Sequence, residues 1–346
     1  MNTSQPIYSA TWQSPSNLAI VKYWGKKGQQ QPINPSVSFS LSKAVTTTTV
    51  ELILNDNRGT FSFYLNNEEK LSFRDKIQRF LNHLGHEIPF IQQYHLRINS
   101  SNTFPHSSGI ASSASAMSAL AFCLADLHQQ VNPEEKISRQ TISSWARIGS
   151  GSAARSVFGG WNLWGKLPEI PESSDFYAIQ LTDKIHPLFQ TIQDDILIVS
   201  GKRKSISSSA GHDLMHGHPY QQGRIKQAHN NTFLLLQYLE NGDWEGFSNL
   251  AENEALSLHA LMMSSNPAYT LMLPNSLALI NKIKAFRQKS GLPVTFTLDA
   301  GPNIHLLYPR EVKNKIKTWE EEELKPLCEN ETIICDHIGE GPRKIN

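Results

Sequence analysis

FPHSSGIASSASAMSALAFCLADL, residues 104–127, joins a loop of small residues to a helix-length run of Ala, Leu and Met. The loop Ser107-Ser108-Gly109-Ile110-Ala111-Ser112-Ser113 leaves backbone N–H groups uncovered and presents several hydroxyls at the helix start. The positive end of a helix dipole favours an anion there, most often phosphate. This is not a Walker A loop, because no Gly-Lys-Ser/Thr follows and no Lys closes it. On loop physics alone two readings stay open: a phosphate cradle, or tight packing with an N-cap.

Outward from this stretch, strands and helices mix without strict βαβ alternation, which favours α+β layers over a doubly wound sheet. VTTTTVELIL (residues 45–54) is β-branched and ends at a turn, and residues 60–65 are expected to pair with it as a hairpin. Residues 77–84 and 114–129 read as helices, with a strand at 95–99 between them. Asn132-Pro133-Glu134-Glu135 reads as the cap and first turn of another helix. Beyond a loop-like stretch at 168–187, residues 196–200 read as a buried strand. Helices are expected at 223–238, 244–263 and 276–289, and strands at 294–298 and 304–308. A boundary near residue 190 divides the chain into domains 1–190 and 191–346.

The chain has 346 residues, 39% hydrophobic and 18% charged, with a formal charge of +1, enough for two domains with ample core. No long basic run points to nucleic acid or an anionic membrane as the main partner. Cys123, Cys328 and Cys335 form no CxxC and no disulfide-type pattern, which suits a reducing cytoplasm. Neither a signal peptide nor a membrane-length apolar run is evident, so a soluble cytoplasmic protein is expected.

Four further segments bear on chemistry. In PSNLAIVKYWGKKG (residues 15–28), Lys22 sits among apolar and aromatic neighbours, where burial demands a counter-charge; an edge-strand surface Lys is the alternative. In GSGSAARS (149–156), two glycines permit close backbone approach, Ser152 adds a hydroxyl, and Arg155 offers a fork that matches a carboxylate or phosphate. In TFTLDAGPN (295–303), Asp299 either caps its own turn or serves as a catalytic carboxylate. His212, His216 and His218 have tempting spacing, but the Glu of HExxH is missing and Gly217 and Pro219 interrupt a helix, so no direct protein metal ligand is assigned.

Taken in order, PSNLAIVKYWGK, PINPSVSFSL, GIASSASAMSAL, GSGSAARSVFGG and LDAGPN resemble the diphosphomevalonate decarboxylases of the GHMP kinase superfamily. The resemblance runs from about Ala10 to Tyr308. The serine loop is superfamily-grade, whereas KYWGK, GSGSAxRS and DAGPN are specific to the decarboxylase branch. It implies a two-domain fold: an N-terminal domain like ribosomal protein S5 domain 2, and a ferredoxin-like α/β sandwich whose final strand or tail packs back on the first. It also implies ATP-dependent decarboxylation of mevalonate 5-diphosphate to isopentenyl diphosphate, with Mg2+ bridging the ATP phosphates, in a cytoplasmic homodimer.

Under this resemblance Asp299 orients or deprotonates the tertiary hydroxyl, Arg155 holds the carboxylate, and Lys22 supports Asp299. Tyr23, Lys26, Ser150, Ser152, Ser207 and Ser208 would contact the substrate. Ser107, Ser108, Gly109, Ala111, Ser112 and Ser113 would cradle the ATP phosphates, with Ser113 the principal hydroxyl. Two segments depart from the family pattern: the usual Ser-Ser-Thr-x-Gly-Met ends here in Gly211-His212, and the usual Asn-Leu-Pro reads Gln30-Gln31-Pro32. Relatives on the same scaffold act on mevalonate monophosphate or phosphorylate without decarboxylating. A 3-kinase, a phosphomevalonate decarboxylase and a non-catalytic binding protein are therefore the alternatives.

Overall fold

A computed structural model describes residues 5–104, 110–182, 184–202 and 206–345. The first half supplies β1 (Tyr8–Ala19), a ribbon of β2 (Lys26–Lys27) and β3 (Gln31–Pro32), β4 (Ser36–Ile53), β5 (Phe61–Leu65) and β6 (Glu68–Glu69). It continues with α1 (Arg74–Leu84), β7 (His95–Asn102), α2 (Ser112–Val131), α3 (Arg139–Gly149), β8 (Trp161–Trp164) and β9 (Ala178–Leu181). The second half supplies α4 (Pro187–Gln190), β10 (Gln193–Leu197), α5 (Ser208–Asp213), α6 (Gln221–Asn241), α7 (Trp244–Met263) and α8 (Pro274–Ser290). It closes with β11 (Thr295–Thr297), β12 (Ile304–Tyr308), α9 (Lys313–Trp319), β13 (Ile333–His337) and β14 (Arg343–Lys344).

The long strand β4 organises an eight-stranded sheet in the order β14-β1-β4-β7-β5-β6, with β8 and β9 continuing from its first half. Its TTTTVELI segment alternates half-buried and buried positions, and the buried face packs under α2. Helix α2 is apolar or small on nearly every face and is accordingly buried along most of its length. Cys123 on α2 donates to Thr48 O and serves as core. A register shift between Pro15 and Asn17 breaks the β1–β4 ladder, a bulge that turns Asn17 toward residues 152–156.

Two local expectations are corrected. Residues 61–65 pair not with β4 but in parallel with β7, which arrives some thirty residues later and takes the place beside β4. Asn132–Glu135 is a turn, and α3 begins instead behind Ser138, whose hydroxyl accepts from Thr141 N–H. The strand expected at 196–200 lies at Gln193–Leu197.

The second half forms a four-stranded antiparallel sheet, order β11-β12-β10-β13. Its core includes Phe296, Leu306, Tyr308, Ile283 and Trp319. The two sheets meet through a shared aromatic cluster, with Trp161 beside Phe39, Phe189 and Phe247. The C-terminal segment returns to the first sheet, where β14 pairs with Trp12 and Gln13. Among the described residues no helix is long and apolar enough to cross a membrane.

One carboxylate fastens the sheets together. Asp336 on β13 accepts from the backbone N–H groups of Ser42, Lys43 and Ala44 at 2.9, 2.8 and 2.7 Å. Charge-assisted bonds of this kind cost more to break than neutral ones. Asp336→Ala is expected to lower unfolding free energy by about 2 kcal/mol, read from the urea midpoint at unchanged m-value.

Candidate active site

A cavity of about 1000 Å³ is lined from both sheets: by the segment after β1, by α1, the start of α2, the 3-10 turn at 151–157, α5, and the Asp299 turn. Every described residue to which the resemblance assigns a catalytic, substrate or ATP role lines it: Lys22, Tyr23, Lys26, Ala111, Ser112, Ser113, Ser150, Ser152, Arg155, Ser207, Ser208 and Asp299. Ser107, Ser108 and Gly109 lie outside the described residues.

Lys22 stands just beyond the end of β1 and is 1% exposed. Its ammonium donates to Asp299 Oδ1 at 2.9 Å and to Ala19 O at 2.5 Å. Asp299 follows β11 in the LDAGPN turn, closed by Gly301 N–H to Asp299 O at 2.7 Å. The turn is fixed to the end of β10 by Asn303, whose Oδ1 accepts from Val199 and Ser200 N–H. Thus the Asp-x-Gly turn and the carboxylate in the cavity are two aspects of one feature.

Arg155 is carried on a 3-10 turn, Gly151–Val157, that directly follows α3. Gly151 is required there, since a Cβ would sit 2.6 Å from the Tyr23 hydroxyl. Arg155 Nε donates to Asn17 Oδ1 at 3.1 Å, Nη1 donates to Ser36 Oγ, and the guanidinium lies over Trp164. Burial pulls it down to about 10, while Asp299 and Tyr23 favour its charge. It is a cation at neutral pH, and among the described residues its Nη2 has no hydrogen bond.

At the start of the twenty-residue α2, Ala111 occupies the cap position in left-handed backbone (φ +44°) and supplies no capping side chain. Ser113 Oγ lies 3.1 Å from Ser150 Oγ, so the helix start meets the second small-residue segment. A helix N-terminus whose Ser112 and Ser113 line a cavity fits a phosphate group.

The remaining wall is polar and cationic. Tyr23 buries its hydroxyl with no partner among the described residues, and burial raises its pKa above the usual tyrosine value. Lys26 pairs with Asp213 at 3.5 Å. Lys76 is half-buried and is pushed down to about 8 by desolvation, with Arg79 and Lys26 adding repulsion. Lys76, Arg79 and Asn17 escaped the sequence reading. Asn17 stood inside a quoted motif, but nothing local marks an amide that orients a guanidinium 138 positions away. Of the two α1 cations, Arg79 lies inside the helix expected at 77–84 and Lys76 just ahead of it, and neither carries a local signal of a site.

His212 lies between the rings of Tyr23 and Trp24, at 4.3 and 4.6 Å, and its Nδ1 accepts from Gly25 N–H at 2.9 Å. Burial, with Lys26 and Arg155 nearby, pushes this imidazole down to about 3. His218 is buried elsewhere, donating to Leu261 O and accepting from Tyr220 N–H. Ser207 caps α5 through Ala210 N–H.

Residues 14–175 match the family model of the diphosphomevalonate decarboxylase-like N-terminal domain, and residues 195–331 match that of the mevalonate 5-diphosphate decarboxylase C-terminal domain. The diphosphomevalonate decarboxylase of Gibberella zeae is 30% identical over 324 residues, covering 87% of this chain and 81% of its own. Mevalonate diphosphate decarboxylase from Staphylococcus aureus superposes with a TM-score of 0.85 at 28% identity, covering 98% of each chain. A structure of MDDEF in complex with MVAPP, AMPPCP and magnesium superposes at 0.83 and 26% identity, covering 98% of this chain and 99% of that one. The fold is that of the GHMP kinases.

The neutral His212 makes a prediction. Between pH 6.5 and about 3 the unfolded chain binds a proton that the folded chain refuses, so stability falls as pH drops through that window. His212→Met should flatten the pH dependence of the urea midpoint across this range relative to the parent protein. An unchanged slope would mean that His212 does not titrate as described.

Proposed function

The chain belongs to the diphosphomevalonate decarboxylase family, and from this premise we propose that its cavity converts mevalonate 5-diphosphate and ATP into isopentenyl diphosphate, ADP, phosphate and carbon dioxide. The observation that carries this reading is the meeting of the Lys22–Asp299 pair with Arg155 beside the start of α2.

Asp299 accepts the proton of the substrate's tertiary hydroxyl, or orients it, for in-line attack on the γ-phosphate of ATP. Lys22 favours the ionised carboxylate and offsets charge that develops at the transferring phosphoryl group. Arg155 grips the substrate carboxylate through its fork, held at the required angle by Asn17, Ser36 and Trp164. With the hydroxyl converted to a phosphate ester, the C–O bond breaks as the carboxylate's C–C electron pair forms the new double bond, releasing phosphate and carbon dioxide.

Tyr23, Lys26, Ser150, Ser152, Ser207 and Ser208 hold the substrate diphosphate, and the Lys76 and Arg79 cations extend that surface. The start of α2, with Ser112 and Ser113, would hold the ATP phosphates together with Mg2+, which would supply charge neutralisation there. The division into domains near residue 190, a homodimeric assembly and a cytoplasmic location belong to the same reading. Three free cysteines are compatible with the last.

The test mixes purified protein, Mg-ATP and mevalonate 5-diphosphate and follows ADP and carbon dioxide together. The two are expected in equal amounts. ADP without carbon dioxide would leave a 3-kinase, preference for the monophosphate a phosphomevalonate decarboxylase, and no ADP with any mevalonate form a binding protein. Asp299→Asn should lower kcat by at least about 10³-fold while nucleotide still binds. Arg155→Lys should lower it about 10²-fold, because a point charge does not reproduce the fork.

A further inference from the structure

Lys22 and Asp299 both lie on backbone that no sheet ladder holds. The last ladder-like bonds before Lys22 are those of Ile20 and Val21 N–H to Val37 O, and Asp299 lies beyond the end of β11. The two residues come from different sheets, yet their side chains meet at 2.9 Å. Something other than the strands must set that distance.

Helix α7 touches the backbone of both. Glu254 Oε2 accepts from Lys22 N–H at 2.8 Å, and five residues later His259 Nε2 donates to Asp299 O at 3.1 Å. Arg224 on α6 completes the grip: its Nη1 and Nη2 donate to the two Glu254 oxygens, each at 2.6 Å, and Nη2 also donates to Lys22 O at 3.0 Å. Asn231 adds a further bond to Glu254 at 2.6 Å. Lys22 is therefore clasped through both its N–H and its carbonyl by one buried ion pair. Glu254 is fully buried, and Arg224 and His259 nearly so.

We propose that Glu254, Arg224 and His259 are positioning residues for the Lys22–Asp299 pair, with α7 acting as the rigid bar that fixes its separation. A buried ion pair is a poor device for stability alone, since apolar side chains of similar volume fill such a space as well or better. What apolar side chains do not supply is a donor and an acceptor aimed at one residue's backbone. Misplacement of reacting groups by about 1 Å costs on the order of 10²-fold in rate. The inference rests on the functional reading above, in which Lys22 and Asp299 carry the chemistry.

The test replaces the ion pair by Arg224→Met with Glu254→Met, which leaves no buried charge unpaired. The thermal midpoint, kcat, and KM for each substrate are measured against the parent and Lys22→Met. Expected is a folded protein with kcat lowered about 10- to 100-fold and both KM values within about threefold. A folded double variant with undiminished kcat overturns the proposal, as does a kcat loss that disappears once corrected for the folded fraction, or an effect confined to KM. Should the double variant not fold, His259→Leu carries the same expectation and the same overturning results. Undiminished kcat in Lys22→Met would instead sink the functional reading, a failure distinguishable from an inactive Lys22→Met beside a fully active double variant.

Discussion

A lysine ammonium taken almost wholly out of water must find a compensating charge, and Lys22 finds it in Asp299 at 2.9 Å. The lysine lies on the segment after β1 of one sheet and the aspartate on the turn after β11 of the other. The pair therefore exists only when the sheets are docked. The Trp161–Phe189–Phe247 cluster and the Asp336 grip on residues 42–44 are what keep them so. The geometry of this pair and the packing of the two sheets are consequently one problem.

The charge of the cavity follows from the same arrangement. Five cations, Lys22, Lys26, Lys76, Arg79 and Arg155, are among its described lining residues, against two carboxylates, Asp213 and Asp299. The chain as a whole carries a formal charge of only +1, so this is a local concentration of positive charge. Burial, with repulsion from Arg79 and Lys26 added, depresses Lys76 to about 8, and a polyanionic substrate would supply the missing counter-charge. Among the described residues, Arg155 Nη2 and the Tyr23 hydroxyl likewise hold hydrogen-bonding capacity in reserve.

Features encoded within a short span of chain were legible in the sequence. Helix α7 at 244–263 follows from its apolar pattern, and the body of α2 follows from its run of Ala, Leu and Met. Motif order brought Lys22, Arg155 and Asp299 into one expectation, and they share one cavity. The rest depended on partners far along the chain. No local pattern reveals that β7 will come between β4 and β5 and take the pairing a hairpin would have used. Asn132-Pro133 has sound capping chemistry, yet Ser138 starts the helix. Glu254 reads as one more acidic residue on a helix until its bond to a backbone N–H 232 positions away is seen. His212, a departure from the family pattern, becomes intelligible only between the rings of Tyr23 and Trp24.

In the proposed reaction Asp299, held by Lys22, is the group that meets the substrate hydroxyl. The most direct measurement is a crystal structure of the protein with mevalonate 5-diphosphate and a non-hydrolysable ATP analogue. The tertiary hydroxyl is expected within about 3 Å of the Asp299 carboxylate, with the Lys22 ammonium still bonded to that carboxylate. A hydroxyl placed well beyond hydrogen-bond reach, with another side chain between it and Asp299, would contradict it.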